Sequence, residues 1–230
     1  MQALLIVGMI GVAIAAVVAS YYAAKRRDEA LARVARELNL RFDSSRDRTR
    51  VLQRFDHVDL LNKGSNRYTE DHLTGQIDGY PVLACDLHYQ TGSGKHKVHH
   101  HYGLILVTVP LAMSEVIIRR EGLFDWVAAA IGFEDIDFES AEFSGQYHVS
   151  AADRRFAYDL IHARAIEYLM RQPDYNWEFE GNTIALYQSG GFKPEEIGPA
   201  IRFAIGFVDL IPEYVWEQRG QRRKGTAHAT

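Results

Sequence analysis

Histidines crowd one short stretch of this chain. His88 lies just before Gly92-Ser93-Gly94, and His96, His99, His100 and His101 follow that turn. If the turn centres near Gly94, residues facing each other sum to about 188, which sets His88 opposite about His100. Alternation puts His99 and His101 on one face and His100 on the other, and a slip of one residue swaps the faces. Asp86 shares a face with His88. Three imidazoles and a carboxylate suit zinc, which favours tetrahedral nitrogen and oxygen ligands. The candidate metal set is therefore His88, His99, His101 and Asp86. Such a centre would make the protein a metal-dependent hydrolase, with Asp86 as fourth ligand or as base for a bound water. The competing reading is a solvated hairpin tip with adventitious metal affinity.

Other chemistry fails on inspection. Thr91-Gly92-Ser93-Gly94-Lys95 echoes a phosphate-binding loop, but the required upstream glycine is Tyr89 and the residue after the lysine is His96. The acidic run Glu134, Asp135, Asp137, Glu139 and Glu142 offers hard oxygen ligands, yet Ser140 stands where a calcium loop of the EF-hand type needs glycine. Cys85, the only cysteine, sits in an apolar run where a buried inert thiol is expected. No serine occupies a G-x-S-x-G elbow. No catalytic residue is assigned, and no cofactor beyond the zinc considered above.

The elements that would carry these residues begin with an uncharged stretch, residues 3–24, followed at once by Lys25, Arg26 and Arg27. As a helix it would span about 33 Å, against about 30 Å of hydrocarbon. Basic residues after an apolar run argue for a retained anchor over a cleaved signal. The same asymmetry predicts a single-pass membrane protein, with its N-terminus outside and its C-terminal domain cytoplasmic. The expected organisation is an anchor over 1–24, a basic juxtamembrane helix over 25–41, a soluble domain over 42–218 and a basic flexible tail over 219–230.

The 230 residues are 47% apolar and 24% charged, ordinary for a globular domain, and the formal charge of −4 points away from nucleic acid. Asp78-Gly79 predicts a hairpin between strands over 73–77 and 80–89, and Gly181-Asn182 a second between 177–179 and 183–187. Further strands are expected over 102–109, 116–118 and 143–149, with a half-buried one around Ile136 and Phe138. Helices are expected over 123–131 and 150–171, and from Pro194 or Pro199 to Trp216 with a kink at Pro212. Strands first and helices later predict an α+β fold. Its antiparallel sheet, or partly open barrel, would pack against C-terminal helices.

The last helix shows two apolar stripes. One of them, Phe203, Phe207, Leu210 and Tyr214, is the candidate partner interface. The uncharged N-terminal stretch, the basic helix after it, the run from Leu73-Thr74-Gly75 to Tyr89 and the block Gly132-Phe133-Glu134-Asp135-Ile136-Asp137-Phe138 together resemble a bacterial group. These are uncharacterised single-span membrane proteins with a domain of unknown function. The resemblance implies a non-enzymatic, membrane-associated role and brings no catalytic residues. The resulting expectation is a membrane-tethered binding or scaffold protein, with the lipid bilayer and a protein partner or second copy as its contacts.

Overall fold

Asp78 and Gly79 both take positive φ, 51° and 78°, as a two-residue hairpin turn of this hand requires. They join β2 (Ser65–Ile77) to β3 (Tyr80–Thr91), and β1 (Arg41–Asp43) pairs with the other edge of β2. The computed structural model describes residues 2–120, 136, 138–172 and 175–219, with side chains at 9, 11, 12 and from 14 onward.

After the Gly92 turn comes one long strand, β4 (Val98–Arg120). One of its edges carries two partners end to end: β3 along 98–107, and β5 (Tyr147–Ala151) along 116–120. Its other edge carries β6 (Asn176–Ser189). All pairings are antiparallel, and the six-stranded sheet stays open, so the barrel alternative is set aside.

The expected hairpin at Gly181-Asn182 is also corrected. β6 runs straight through it, and the register against β4 shifts between Thr108↔Thr183 and Met113↔Gly181. The physical reason is parity. Trp177 and Phe179 must face the same core as Ile184 and Leu186, and a bulge at Gly181, with φ of 57°, flips the alternation between them.

The sheet buries both faces. On the first, α1 (Gln2–Glu37) supplies Leu31 and Ala35, and α6 (Pro194–Val208) supplies Ile197 and Ile201. They share a core with Val82, Ala84, Ile105 and Leu186. On the second, α2 (Arg50–Arg54) and the 3-10 turn Asp59–Asn62 bring Val51, Phe55, Leu60 and Leu61 onto Leu83, Cys85 and Leu104. Burying each Val, Leu, Ile or Phe among them is worth roughly 1.5–3 kcal/mol.

Smaller pieces depart from the sequence reading. Residues 141–144 form α3 (Ala141–Ser144), ahead of β5. The expected helix over 150–171 is two: α4 (Arg154–Leu160), capped by Asp153, and α5 (Ala163–Leu169), with Ile161 and His162 in non-helical backbone between them. Pro212 ends the C-terminal helix instead of kinking it, and α7 (Glu213–Gln218) starts afresh. The expected helix over 123–131, Asp135, Asp137 and the tail beyond Arg219 lie outside the described residues.

The N-terminal expectation needs correction. Among the described residues, no helix is long and apolar enough to cross a membrane. The uncharged residues up to Ala24 belong to α1. Lys25, Arg26, Arg27, Asp28 and Glu29 follow in the same unbroken helix, whose C-terminal part belongs to the domain core. The single-pass topology and the orientation built on it are therefore withdrawn.

Candidate functional site

The β3–β4 register pairs His88 with His101, Tyr89 with His100 and Gln90 with His99, one residue away from the expected sum. That slip brings Asp86, His88, His99 and His101 to one face, while His100 joins Tyr89 on the other and bonds Thr91 Oγ1 at 2.7 Å. On the first face the rings form a ladder. Tyr68 stacks on His88 at 4.7 Å, and His88 on His101 at 4.3 Å. The Arg46 and Arg48 guanidiniums lie over the outer face of this stack, 4.7 and 5.3 Å from the Tyr68 ring centre.

Carboxylates flank the ladder. His88 Nε2 is 3.1 Å from Glu70 Oε1, and His101 Nε2 is 3.2 Å from Asp86 Oδ2. Both are close contacts without the alignment of a hydrogen bond. Asp86 is buried and is held by Arg27 Nη2 at 2.8 Å, while Arg27 Nε reaches Asp71 at 3.0 Å and Nη1 reaches the Phe192 carbonyl at 3.2 Å. Burial works against the Arg27 charge, but Asp86 and Asp71 outweigh it and raise its pKa. Burial and then the His101 charge lower the pKa of His88.

This arrangement places the four zinc-candidate residues without converging them. Imidazole lone pairs lie in the ring plane, and two rings stacked at 10° aim theirs side by side. His99 is exposed, with Nδ1 3.5 Å from Gln90 Nε2. Asp86 is already engaged by Arg27 and His101.

The set that does converge among the described residues is Glu115, Glu178 and Glu180, whose carboxylate oxygens lie within 4.8 Å of one another. It sits on the second face, where β4 and β6 pair. Sequence reading missed it because long-range pairing alone joins residue 115 to 178 and 180. Glu178 is fully buried and accepts the backbone N–H groups of Asp59 and Leu60, capping the 3-10 turn. Burial pushes Glu178 up to about 8 and, helped by the Glu115 charge, Glu180 to about 7. Alongside, Asp59 pairs with Arg119 and Lys63, both at 2.8 Å, and Arg119 donates to the Tyr187 hydroxyl at 3.3 Å. Glu178 thus spends both oxygens on the backbone of its own chain.

Two nucleophile candidates, Cys85 and Thr183, are closed off by burial. Burial raises the Cys85 thiol far above its usual range. Thr183 Oγ1 lies 2.9 Å from His57 Nε2, and His57 Nδ1 lies 3.8 Å from Asp56, which is the outline of a triad. The threonine is fully buried, so no substrate reaches it.

The interface stripe on the C-terminal helix is largely corrected. Phe207 is 0% exposed, packed on Phe179 and Trp177 at 4.9 and 5.5 Å. Phe203 stacks on Tyr168 at 4.5 Å, and Leu210 packs on the same core. These side chains serve the fold. Tyr214 alone is open, at 44%, with its hydroxyl 3.0 Å from Asp159.

The surface that is open is the N-terminal part of α1. Every described side chain before Arg27 is exposed, including Met9 (69%), Val12 (72%), Val17 (67%) and Tyr21 (65%).

No family model matches the chain, and no curated relative matches it. Its fold is similar to the crystal structure of the mycobacterial trehalose monomycolate transport factor A, TtfA. The TM-score is 0.59 at 11% identity, over 81% of this chain and 95% of that one. The likeness is one of fold.

Proposed function

We infer that this protein is a binding or scaffold protein, which holds a protein partner through the apolar N-terminal half of α1. The observation that carries this reading is the exposure of that half. From Met9 to Tyr22 it presents Val12, Ile14, Val17 and Val18 to solvent, and it extends about 35 Å beyond Arg27. Exposed apolar area of this extent marks an interaction site, since water penalises each such side chain left uncovered. The other end of the same helix is fixed by Leu31, Ala35 and the Arg27 ion pairs, so the domain holds the projecting half at a set angle. Two further points favour binding over catalysis. His88 is stacked between Tyr68 and His101, and Glu178 is taken up by the backbone N–H groups of Asp59 and Leu60. The protein of similar fold is described as a transport factor.

Deleting residues 2–20 tests the reading. Those side chains, where described, are exposed, so the shortened chain should melt at the full-length temperature. It should also lose the complex that full-length protein forms in cell extracts. A shortened chain that still co-sediments in the same complex contradicts the proposal.

A further inference from the structure

A cleft of about 690 Å³ opens between α2, β1 and the β2–β3 hairpin. Val51 and Phe55 give it an apolar wall, and Arg41, Arg50 and Arg54 line it with charge. Its acids are largely spent. Asp47 accepts the backbone N–H groups of Thr49 and Arg50 at 2.8 and 2.9 Å, and the Arg50 Nε at 2.9 Å. Burial opposes the charge on Asp47, but these bonds win and hold its pKa down. Asp43 accepts from the Ser45 N–H at 2.9 Å and lies 3.9 Å from Arg50. Arg54 lies only over the Phe55 ring, and Arg41 makes no ion pair with a described residue.

His72 lines the same cleft and is 5% exposed. Its Nε2 is 2.9 Å from Thr69 Oγ1, and its Nδ1 is buried with no partner. A buried polar atom left unpaired costs about 1–3 kcal/mol. The Thr69 hydroxyl also lies 3.5 Å from the Asp47 carbonyl oxygen, so it can donate either there or to Nε2. When it donates to Nε2, the proton of the neutral ring moves to Nδ1, which becomes a donor awaiting an acceptor.

We propose that this cleft binds a small organic anion with an apolar body, its acid group on Arg41 and Arg54 and an acceptor oxygen at His72 Nδ1. The apolar part lies along Val51 and Phe55. The volume falls in the range of ordinary small-molecule sites, and two cations without carboxylate partners set the sign of the ligand. This site is separate from the partner surface on α1, so the two inferences stand or fall independently.

The test uses the full chain, with decanoate as probe and decan-1-ol as its uncharged analogue, followed by calorimetry and by the nitrogen chemical shifts of His72. Decanoate should bind one to one, at least about tenfold tighter than decan-1-ol, and should shift His72 Nδ1. The paired change Arg41→Glu with Arg54→Glu alters exposed residues only and should weaken decanoate at least about tenfold. His72→Gln should weaken it less, by a few-fold. Equal binding of acid and alcohol, an unmoved His72 signal, undiminished affinity in the arginine pair, or no saturable binding each overturns the proposal. Decanoate lost on deleting residues 2–20 also overturns it, because the probe then sits on α1.

Discussion

Arg27 Nη2 lies 2.8 Å from Asp86 Oδ2, and this contact ties the projecting helix to the middle of the sheet. Asp86 has 8% of its side chain exposed, while Arg27 keeps a third of its own. Arg27→Ala leaves Asp71 and Asp86 facing each other without a cation. Since Arg27 is partly solvated, the expected cost is about 2 kcal/mol, below the cost of breaking a fully buried pair. Urea unfolding at neutral pH measures it. A loss under about 0.5 kcal/mol would mean that α1 is held by Leu31 and Ala35 alone.

Glu178 gives a prediction with a definite sign. Its carboxyl rises in the folded protein from 4.5 to about 8, because burial outweighs the two backbone donors. A raised acid contributes stability below its unfolded pKa, and that contribution is lost as pH climbs toward the folded value. Glu178→Gln removes the charge and keeps one acceptor oxygen for the Asp59 N–H, as the protonated carboxyl does. It should raise Tm at pH 8 by several degrees and have little effect near pH 4.5. Melting curves at the two pH values decide it, and an equal effect at both would contradict the burial argument.

The histidine stack responds in the opposite direction. Burial and His101 depress His88, so its neutral form is the one the folded state favours. A depressed histidine leaves stability intact above its ordinary value of 6.5 and lowers it as pH falls below that. In His88→Phe the stacked neighbours remain but the titration is gone. The fall in Tm between pH 7 and pH 5 should be smaller in this variant, as followed by scanning calorimetry.

The two sides of the proposed C-terminal stripe should separate cleanly. Phe207→Ala opens a cavity against Trp177 and Phe179 and should cost about 3–5 kcal/mol. Tyr214→Phe removes one exposed hydroxyl contact with Asp159 and should cost under about 1 kcal/mol. Chemical denaturation of both variants checks this. A mild Phe207→Ala would return that ring to the surface.

Local chemistry was legible in the sequence wherever one turn controls it. Asp78-Gly79 announces its hairpin because both residues accept positive φ. The histidine face was nearly legible, since only a one-residue uncertainty in the turn separated His88 opposite His100 from His88 opposite His101. Gly181-Asn182 carries the same local signal and makes a bulge instead, because the demand comes from Trp177, Phe179, Ile184 and Leu186 facing one core. The glutamate cluster was illegible, as nothing local links Glu115 to Glu178. Phe207 looked like surplus apolar surface until Trp177 and Phe179 were seen beneath it. The absence of charge over residues 3–24 was likewise an incomplete measure of what α1 does, because the same helix continues into the core at Leu31.

The central claim is that the N-terminal half of α1 meets a protein. Photo-crosslinking groups placed at Val12 and Val17 in the full chain, with one at exposed Arg171 as reference, read this out in living cells. The account predicts a discrete protein adduct from positions 12 and 17 and none from 171. Adducts to lipid alone, or the same adducts from all three positions, would contradict it.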